Sequence, residues 1–195
     1  VEVSALMFFP IKSCGPCCVD RWEVCDTGFL YDREWTIVDV ESGTALTQKR
    51  FPTLALIHPQ VDVEAGTLTL TSELHPHGAS LTLFLEEYPQ QDSGEEGKVE
   101  GEALRVCGAK CTGLLYPAAV NEWFCAVLQT NCALCRIPST PSRTTQDRTG
   151  RGRADLSESK ITFANEGQFL VVSEASLLHL SNMLKQGGRE DFSVK

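Results

Sequence analysis

The stretch FFPIKSCGPCC, residues 8–18, follows an apolar run near the start of the chain. That run, residues 3–9, predicts a buried strand, and Pro10 limits how far the strand can continue. A loop at a strand end is a common place to build a site. Two hypotheses follow: the Cys-Gly-Pro-Cys spacing is that of a dithiol redox pair, and the Lys-Ser pair before it could hold a phosphate.

Short β-branched or apolar runs continue after this stretch, with turn residues between them. The segment 64–66 separates two such runs and is typical of a β-hairpin. This spacing predicts an antiparallel β-barrel or sandwich. The predicted strands are 36–40, 54–58, 61–63, 67–71, 81–85, 99–106 and 132–137.

Helical patterns appear in two places in the second half of the chain. Pro117 suits the first turn of a helix near residues 117–129, and Ser173 suits the N-cap of a helix over 174–186. Between them, residues 139–160 form a polar segment that contains arginines, and we predict a long loop there. The fold class is therefore mainly β with a few helices (α+β). The apolar face predicted for the first helix comprises Val120, Trp123, Phe124, Val127 and Leu128.

Composition limits the classes of partner and of cellular location that the protein can have. A net charge of −9 and a pI near 4.9 over 195 residues argue against nucleic acid or an anionic membrane as the main partner. No apolar run is long enough to span a bilayer. Nine cysteines without a leader-like N-terminus favour reduced thiols and a cytoplasmic protein.

The cysteines allow two interpretations, a dithiol redox pair and a zinc site. The residues after Cys14 and Cys17 do not look helical, which favours a proline turn over a redox pair. Cys132 and Cys135 could complete a four-sulfur zinc site, but residues i and i+3 of a strand point to opposite faces. Cys107 and Cys111 are ambiguous, and no residue is assigned as a metal ligand.

The anion hypothesis joins residues from two segments. Lys12, Ser13 and Arg33 face one site if the first strand pairs near residues 32–35. The alternative for Arg33 is an ion pair with a neighbouring carboxylate. The polar segment is either a solvated loop or one that folds over an anionic ligand, and its arginines are Arg143, Arg148, Arg151 and Arg153.

The order and content of several motifs resemble one family. They are FPIKSC (9–14), TGFLYDREW (27–35), LTQK (46–49) and FANEGQF (163–169) followed by SEAS (173–176). Together they resemble the C-terminal region of eukaryotic molybdenum cofactor sulfurases and, less closely, the mitochondrial amidoxime-reducing component. The resemblance implies a MOSC N-terminal-type β-barrel over residues 1–138, then the loop 139–160, and the beginning of a second β-rich MOSC domain over 161–195.

It also implies a function. The chain would bind molybdopterin through Lys12, Ser13, Arg33 and Asn165. An upstream pyridoxal-phosphate domain, a cysteine desulfurase outside this chain, would supply sulfur as a persulfide for a transferase that activates xanthine dehydrogenase and aldehyde oxidase. The alternatives are a molybdenum-dependent reductase of N-hydroxylated substrates and a non-catalytic interaction module. None of the nine cysteines matches the family's molybdenum-ligating cysteine, so no metal ligand is assigned, and the catalytic residues are unassigned as well. The chain is expected to be part of the cofactor-binding region.

Overall fold

The computed structural model describes residues 2–89, 101–139, 143–144, 159–165 and 167–186. Short strands dominate these residues, as the spacing of apolar runs predicts. The strands are β1 Leu6–Phe8, β2 Cys17–Val19, β3 Val24–Cys25, β4 Gly28–Phe29, β5 Trp35–Asp39, β6 His58–Asp62, β7 Thr67–Thr71, β8 Leu81–Phe84, β9 Glu102–Val106, β10 Ala109–Leu115 and β11 Cys132–Arg136.

The largest sheet has the strand order β5-β11-β10-β9, and each neighbouring pair is antiparallel. β9 and β10 form a hairpin in which Val106 pairs with Ala109 across a two-residue turn. β11 reaches the sheet after α1, the helix Ala118–Leu128, which packs on it. This sheet carries a core on each face.

The two cores divide the apolar residues of the central strands by alternation. The large core contains Trp35, Ile37, Leu134 and Cys132 with the buried face of α1. The small core lies on the other face and comprises Val38, Ala45, Leu104, Val106, Cys111, Ala133, Cys135, Ile137 and Phe163. Cys132 and Cys135 therefore belong to different cores, as the strand pattern predicts.

A second sheet, β6-β7-β8, contains the hairpin predicted around residues 64–66. The predicted strand at 54–58 is wrong for most of its length, because a 3₁₀ helix covers Pro52–Leu56. Pro52 at its start fixes a φ suited to a helical turn and lacks a backbone N–H for pairing. Leu54 still enters the large core from this helix.

The second predicted helix is α2, Glu174–Gln186. Ser173 caps it, because the backbone N–H of Ser176 donates to Ser173 Oγ at 3.1 Å. None of the side chains of α2 is buried. Within the described ranges, no helix is both long and apolar enough to cross a membrane.

The architecture confirms a mainly antiparallel β protein of the α+β class. The strands of the described residues fall into four separate sheets, and none of these sheets closes on itself as a barrel. The predicted boundaries at residues 138 and 161 stay a prediction. Phe163, beyond the second boundary, is fully buried in the small core beside residues from the first segment.

Candidate anion-binding site

The backbone brings Lys12 and Arg33 to one place. The segment after β1 runs alongside the start of β5: Lys12 N donates to Trp35 O at 2.8 Å, and Trp35 N donates to Pro10 O at 3.1 Å. Arg33 N donates to Phe9 O at 2.7 Å. The first strand pairs with β2, but the segment that follows it lies beside residues 33–35, which is the proximity on which the anion hypothesis depended.

Lys12 is a buried cation, with 7% of its surface exposed. Its Nζ donates to Phe163 O at 3.0 Å and to Asn165 Oδ1. Burial lowers the pKa of Lys12; the nearby charges of Arg143 and Arg33 lower it further, and Cys107 opposes the shift. Both acceptors of this ammonium group that lie in the described residues are uncharged oxygens.

Arg143 is a second buried cation, with 8% exposure. Its Nη1 donates to Thr162 O and, at 3.0 Å, to Ala164 O. Burial lowers the pKa of Arg143 as well. In the described ranges, the ion pairs are Arg33–Asp32 and Arg136–Glu34, so no carboxylate contacts Lys12 or Arg143 there.

Arg33 is the third cation of the site, and we call Lys12, Arg143 and Arg33 the cationic group. The backbone of Arg33 has a left-handed conformation, with φ of 49°. Its Nη1 contacts Asp32 Oδ2, which is the ion pair expected as the alternative role of this arginine. Asp32 is itself buried, and its Oδ1 accepts the Phe9 N–H at 2.8 Å. Burial raises the pKa of Asp32, and Arg33 opposes that shift.

Ser13 follows Lys12 directly, with φ of 68°. Its carbonyl accepts a hydrogen bond from Gln48 Nε2 at 2.8 Å, which anchors this left-handed residue. No hydrogen bond of its hydroxyl is found among the residues described. Ser13 is half-buried, and its hydroxyl can act as a hydrogen-bond donor.

Cys107 and Asn165 form the edge of the group. Asn165 Oδ1 accepts hydrogen bonds from both Lys12 Nζ and Cys107 Sγ, the latter at 2.9 Å. Cys107 is exposed at the tip of the β9–β10 hairpin. The site therefore combines a thiol, an amide and three cations, with Asp32 as the carboxylate in contact.

The side chains that form this candidate site suit an anionic ligand. Buried charges are usually compensated by an opposite charge, and uncharged oxygens leave Lys12 and Arg143 without that compensation. A phosphate would supply it, because guanidinium forks and an ammonium point charge both bind phosphate oxygens. The donor set thus fits the phosphate of a molybdopterin-type cofactor.

Sequence reasoning identified part of this group. Lys12, Ser13, Arg33 and Asn165 were expected to act together; the fold places Lys12 near Asn165 and Arg33, and the role of all four in binding stays a prediction. Arg143 was noted as one of four loop arginines; the other three lie outside the described residues. Cys107 was missed as a site residue, although its place before a glycine at a predicted strand end is a hairpin signal.

The N-terminal cysteine pair is poorly suited to dithiol exchange. Cys14 lies in the large core, where burial raises the pKa of its thiol. Burial raises the pKa of Cys17 to about 11, and its Sγ donates to Pro59 O at 3.0 Å. A redox pair requires an accessible thiol of low pKa. The expected proline turn describes this segment better.

These features describe a β-rich domain with a cationic, partly buried group of side chains that is a candidate anion site. Residues 1–131 match the family model of the MOSC N-terminal beta barrel domain. The chain belongs to that family, which confirms the resemblance seen in the motifs.

Curated relatives extend the match beyond the family model. Proteins named molybdenum cofactor sulfurase are 32% identical in Oryza sativa subsp. japonica (96% of this chain, 22% of that protein), 31% in Arabidopsis thaliana (94% and 21%) and 27% in Homo sapiens (99% and 21%). The chain thus spans about a fifth of the length of these relatives.

Among solved structures, the solution structure of a protein from Bordetella bronchiseptica aligns with a TM-score of 0.41 and 16% identity. The alignment covers 59% of this chain and 85% of that one. A likeness at this level does not define the fold.

Proposed function

We propose that this chain binds the molybdenum cofactor as part of a molybdenum cofactor sulfurase. The observation that carries the proposal is the pair of buried cations, Lys12 and Arg143, whose acceptors among the described residues are uncharged. The names of the relatives point to the same cofactor. Phosphate is the part of a molybdopterin that such a site recognises.

Each residue has a separate role in this proposal. Lys12 and Arg143 supply the fixed positive charge, and their burial limits the competition from water. Arg33 turns its guanidinium from Asp32 toward the ligand or shares it between the two. Ser13 donates its hydroxyl to the ligand, and Asn165 holds the Lys12 ammonium in place.

The sulfur chemistry belongs to the longer protein. When bound, the molybdenum centre supplies the position that receives sulfur. A pyridoxal-phosphate cysteine desulfurase domain would provide that sulfur as a persulfide, and xanthine dehydrogenase and aldehyde oxidase would be the enzymes activated. We also propose a cytoplasmic location, since all nine cysteines are free thiols, as a reducing compartment favours.

The test is the pterin content of the purified full-length protein. Lys12→Ala combined with Arg33→Ala removes two charged donors, each worth about 1.5–3 kcal/mol, so retention should fall by on the order of a hundredfold or more. Pterin is released by denaturation and measured by fluorescence. Arg21→Ala combined with Lys185→Ala changes the net charge equally at exposed positions and should retain pterin. Equal pterin in both double variants would contradict the assignment.

A further inference from the structure

Asp32 lies where three separate segments of the chain meet. Its Oδ1 accepts the Phe9 N–H at 2.8 Å, its Oδ2 contacts Arg33 Nη1, and its main-chain oxygen accepts the Thr162 hydroxyl at 2.8 Å. The side chain of Asp32 is 2% exposed. Burying a carboxylate costs free energy unless it is paired and hydrogen-bonded, so these contacts are what make its position tenable.

The backbone on both sides of Asp32 has a conformation that most side chains disfavour. Tyr31 and Arg33 have φ of 62° and 49°, in the left-handed region, which glycine, asparagine and aspartate adopt most readily. Such a conformation persists only where the surrounding contacts hold it, and it is concentrated at functional sites. Here the Asp32 N–H donates to Phe29 O at 3.0 Å, and the Arg33 N–H donates to Phe9 O at 2.7 Å.

Asp32 holds the Arg33 guanidinium and leaves most of its donors available. A guanidinium carries five N–H donors, and Asp32 contacts one of its nitrogens, Nη1. The side chain of Arg33 is 20% exposed, so it is more accessible than the buried Lys12 and Arg143. An arginine without a fixed partner samples many rotamers, and ordering it when a ligand binds costs free energy.

The same aspartate also contacts the segments around Lys12. Phe9, which donates its N–H to Asp32, belongs to the stretch that leads to Lys12. Thr162, which donates its hydroxyl to Asp32 O, precedes Phe163, whose carbonyl accepts the Lys12 ammonium. Asp32 therefore links Arg33 to the two segments that place Lys12 and one of its acceptors.

We propose that Asp32 is a positioning residue of the candidate anion site, which keeps its contact with Arg33 while an anion is bound and orients the remaining guanidinium donors toward it. The proposal rests on the proposed function, because the orientation of Arg33 affects binding only if an anion occupies this site. It means that Arg33 shares its guanidinium between Asp32 and the ligand.

The sign of one effect separates this role from simple electrostatics. A carboxylate near an anion repels it, so charge alone predicts tighter anion binding when Asp32 is neutralised. Positioning predicts weaker binding. Asp32→Asn removes the charge and keeps an oxygen that can accept the Phe9 N–H, so this variant retains one of the contacts that hold the segment.

The experiment is a phosphorus NMR titration of inorganic phosphate into full-length protein prepared without bound pterin. We expect Asp32→Asn to bind phosphate about tenfold more weakly, the loss expected when a long side chain must be ordered on binding. Asp20→Asn makes the same charge change at an exposed position and should bind like wild type. Unchanged or tighter binding by Asp32→Asn would overturn the proposal.

The pH profile gives a second readout. Burial raises the pKa of Asp32, and Arg33 opposes that shift. As the pH falls through this raised pKa, wild-type Asp32 becomes neutral like asparagine, so the phosphate affinities of wild type and Asp32→Asn should converge. Their ratio cancels the titration of phosphate itself. A ratio that stays constant down to pH 3.8, the ordinary value, would contradict a role for the charge of Asp32.

Arg33→Gln tests whether Asp32 acts through Arg33. In this background Asp32 has no guanidinium to orient, so adding Asp32→Asn should not weaken phosphate binding any further. A further weakening of similar size would overturn the positioning role and would assign the effect to the fold instead.

The mobility of Arg33 in the ligand-free protein separates this proposal from the proposed function. Nitrogen-15 NMR of the guanidinium Nε–H should show an ordered Arg33 in wild type and a mobile one in Asp32→Asn, with the exposed Arg21 as the mobile reference. An Arg33 that is equally ordered in both proteins would overturn the positioning role. Wild-type protein that binds no phosphate would instead contradict the proposed function, whatever the mobility of Arg33.

Discussion

Lys12 is held in the protein by oxygens that carry no formal charge. Phe163 O and Asn165 Oδ1 satisfy its hydrogen bonds, yet they compensate little of the free energy lost when an ammonium group leaves water. The lowered pKa of Lys12 records this imbalance. An anionic ligand would correct it, so binding of the anion favours the charged form of Lys12.

The pH dependence of anion binding should reveal this coupling. In the ligand-free folded protein, Lys12 loses its proton below the ordinary value of 10.5. Binding of inorganic phosphate should therefore weaken as the pH rises through this lowered pKa. The measurement is a phosphorus NMR titration at increasing pH.

Lys12→Arg is the matched variant, because arginine keeps its charge over that range. Its phosphate affinity should stay nearly constant where that of the wild type falls. The unfolding free energy has the opposite trend in wild type: charged Lys12 opposes folding below its folded pKa, and this penalty falls as the pH rises from the folded pKa toward the ordinary value of 10.5. A wild-type affinity that is flat up to pH 10.5 would contradict the lowered pKa.

Replacement by valine should change the unfolding free energy in opposite directions at two buried threonines. Thr36 Oγ1 is buried without a hydrogen-bond partner in the described structure, whereas Thr162 Oγ1 donates to Asp32 O at 2.8 Å. Thr36→Val should raise the unfolding free energy by about 1 kcal/mol, and Thr162→Val should lower it by about 1–2 kcal/mol. Urea denaturation measures both, and destabilisation by Thr36→Val would indicate that its hydroxyl is satisfied after all.

Among the helices and strands, the sequence predicted correctly those features that depend on residues close together in the chain. The apolar face of α1, the hairpin of β6 and β7 and the Ser173 cap of α2 each depend on residues close in sequence. The strand prediction for residues 54–58 was wrong because the apolar residues of this segment fit either a short strand or a helical turn. There, Pro52 decided in favour of the 3₁₀ helix.

The cap of α2 provides a test at this scale. Because none of the helix side chains is buried, α2 depends more on its end than a packed helix does. Ser173→Ala should destabilise the helix by about 1 kcal/mol, seen as faster amide hydrogen exchange at its first turns. Ser173→Asp retains an acceptor and should exchange like wild type. Unchanged exchange in the alanine variant would show that Ser173 does not stabilise the helix.

At the scale of the molecule, sequence reasoning reached the site only in part. Lys12 and Arg33 could be joined because one plausible strand pairing connects them. Cys107 and Arg143 could not, because their positions depend on how the β9–β10 hairpin and the segment near Phe163 pack against the rest. Long-range packing of this kind leaves no periodic trace in a single sequence, and the motifs of the family pointed to Asn165 but to neither Cys107 nor Arg143.

Phe163 connects the distant segment to the core. It is fully buried in the small core, and its backbone N–H donates to Arg33 O at 2.9 Å. Phe163→Ala should lower the unfolding free energy by about 3–5 kcal/mol. Phe169→Ala removes a side chain that is 47% exposed and should cost less than about 1 kcal/mol. Similar melting temperatures for the two variants would contradict the role of Phe163 in this core.

The hydrogen bonds of Lys12 span 151 and 153 residues of sequence. During synthesis, the ribosome releases Lys12 long before Phe163 and Asn165 exist to receive its ammonium group. The nascent chain therefore carries this lysine in water, fully solvated and without these two acceptors, until residues 163–165 have emerged. An anion that binds this candidate site would consequently be held only after residues 163–165 have been made, and a chain interrupted before residue 163 would lack both acceptors of Lys12 even with its N-terminal strands intact.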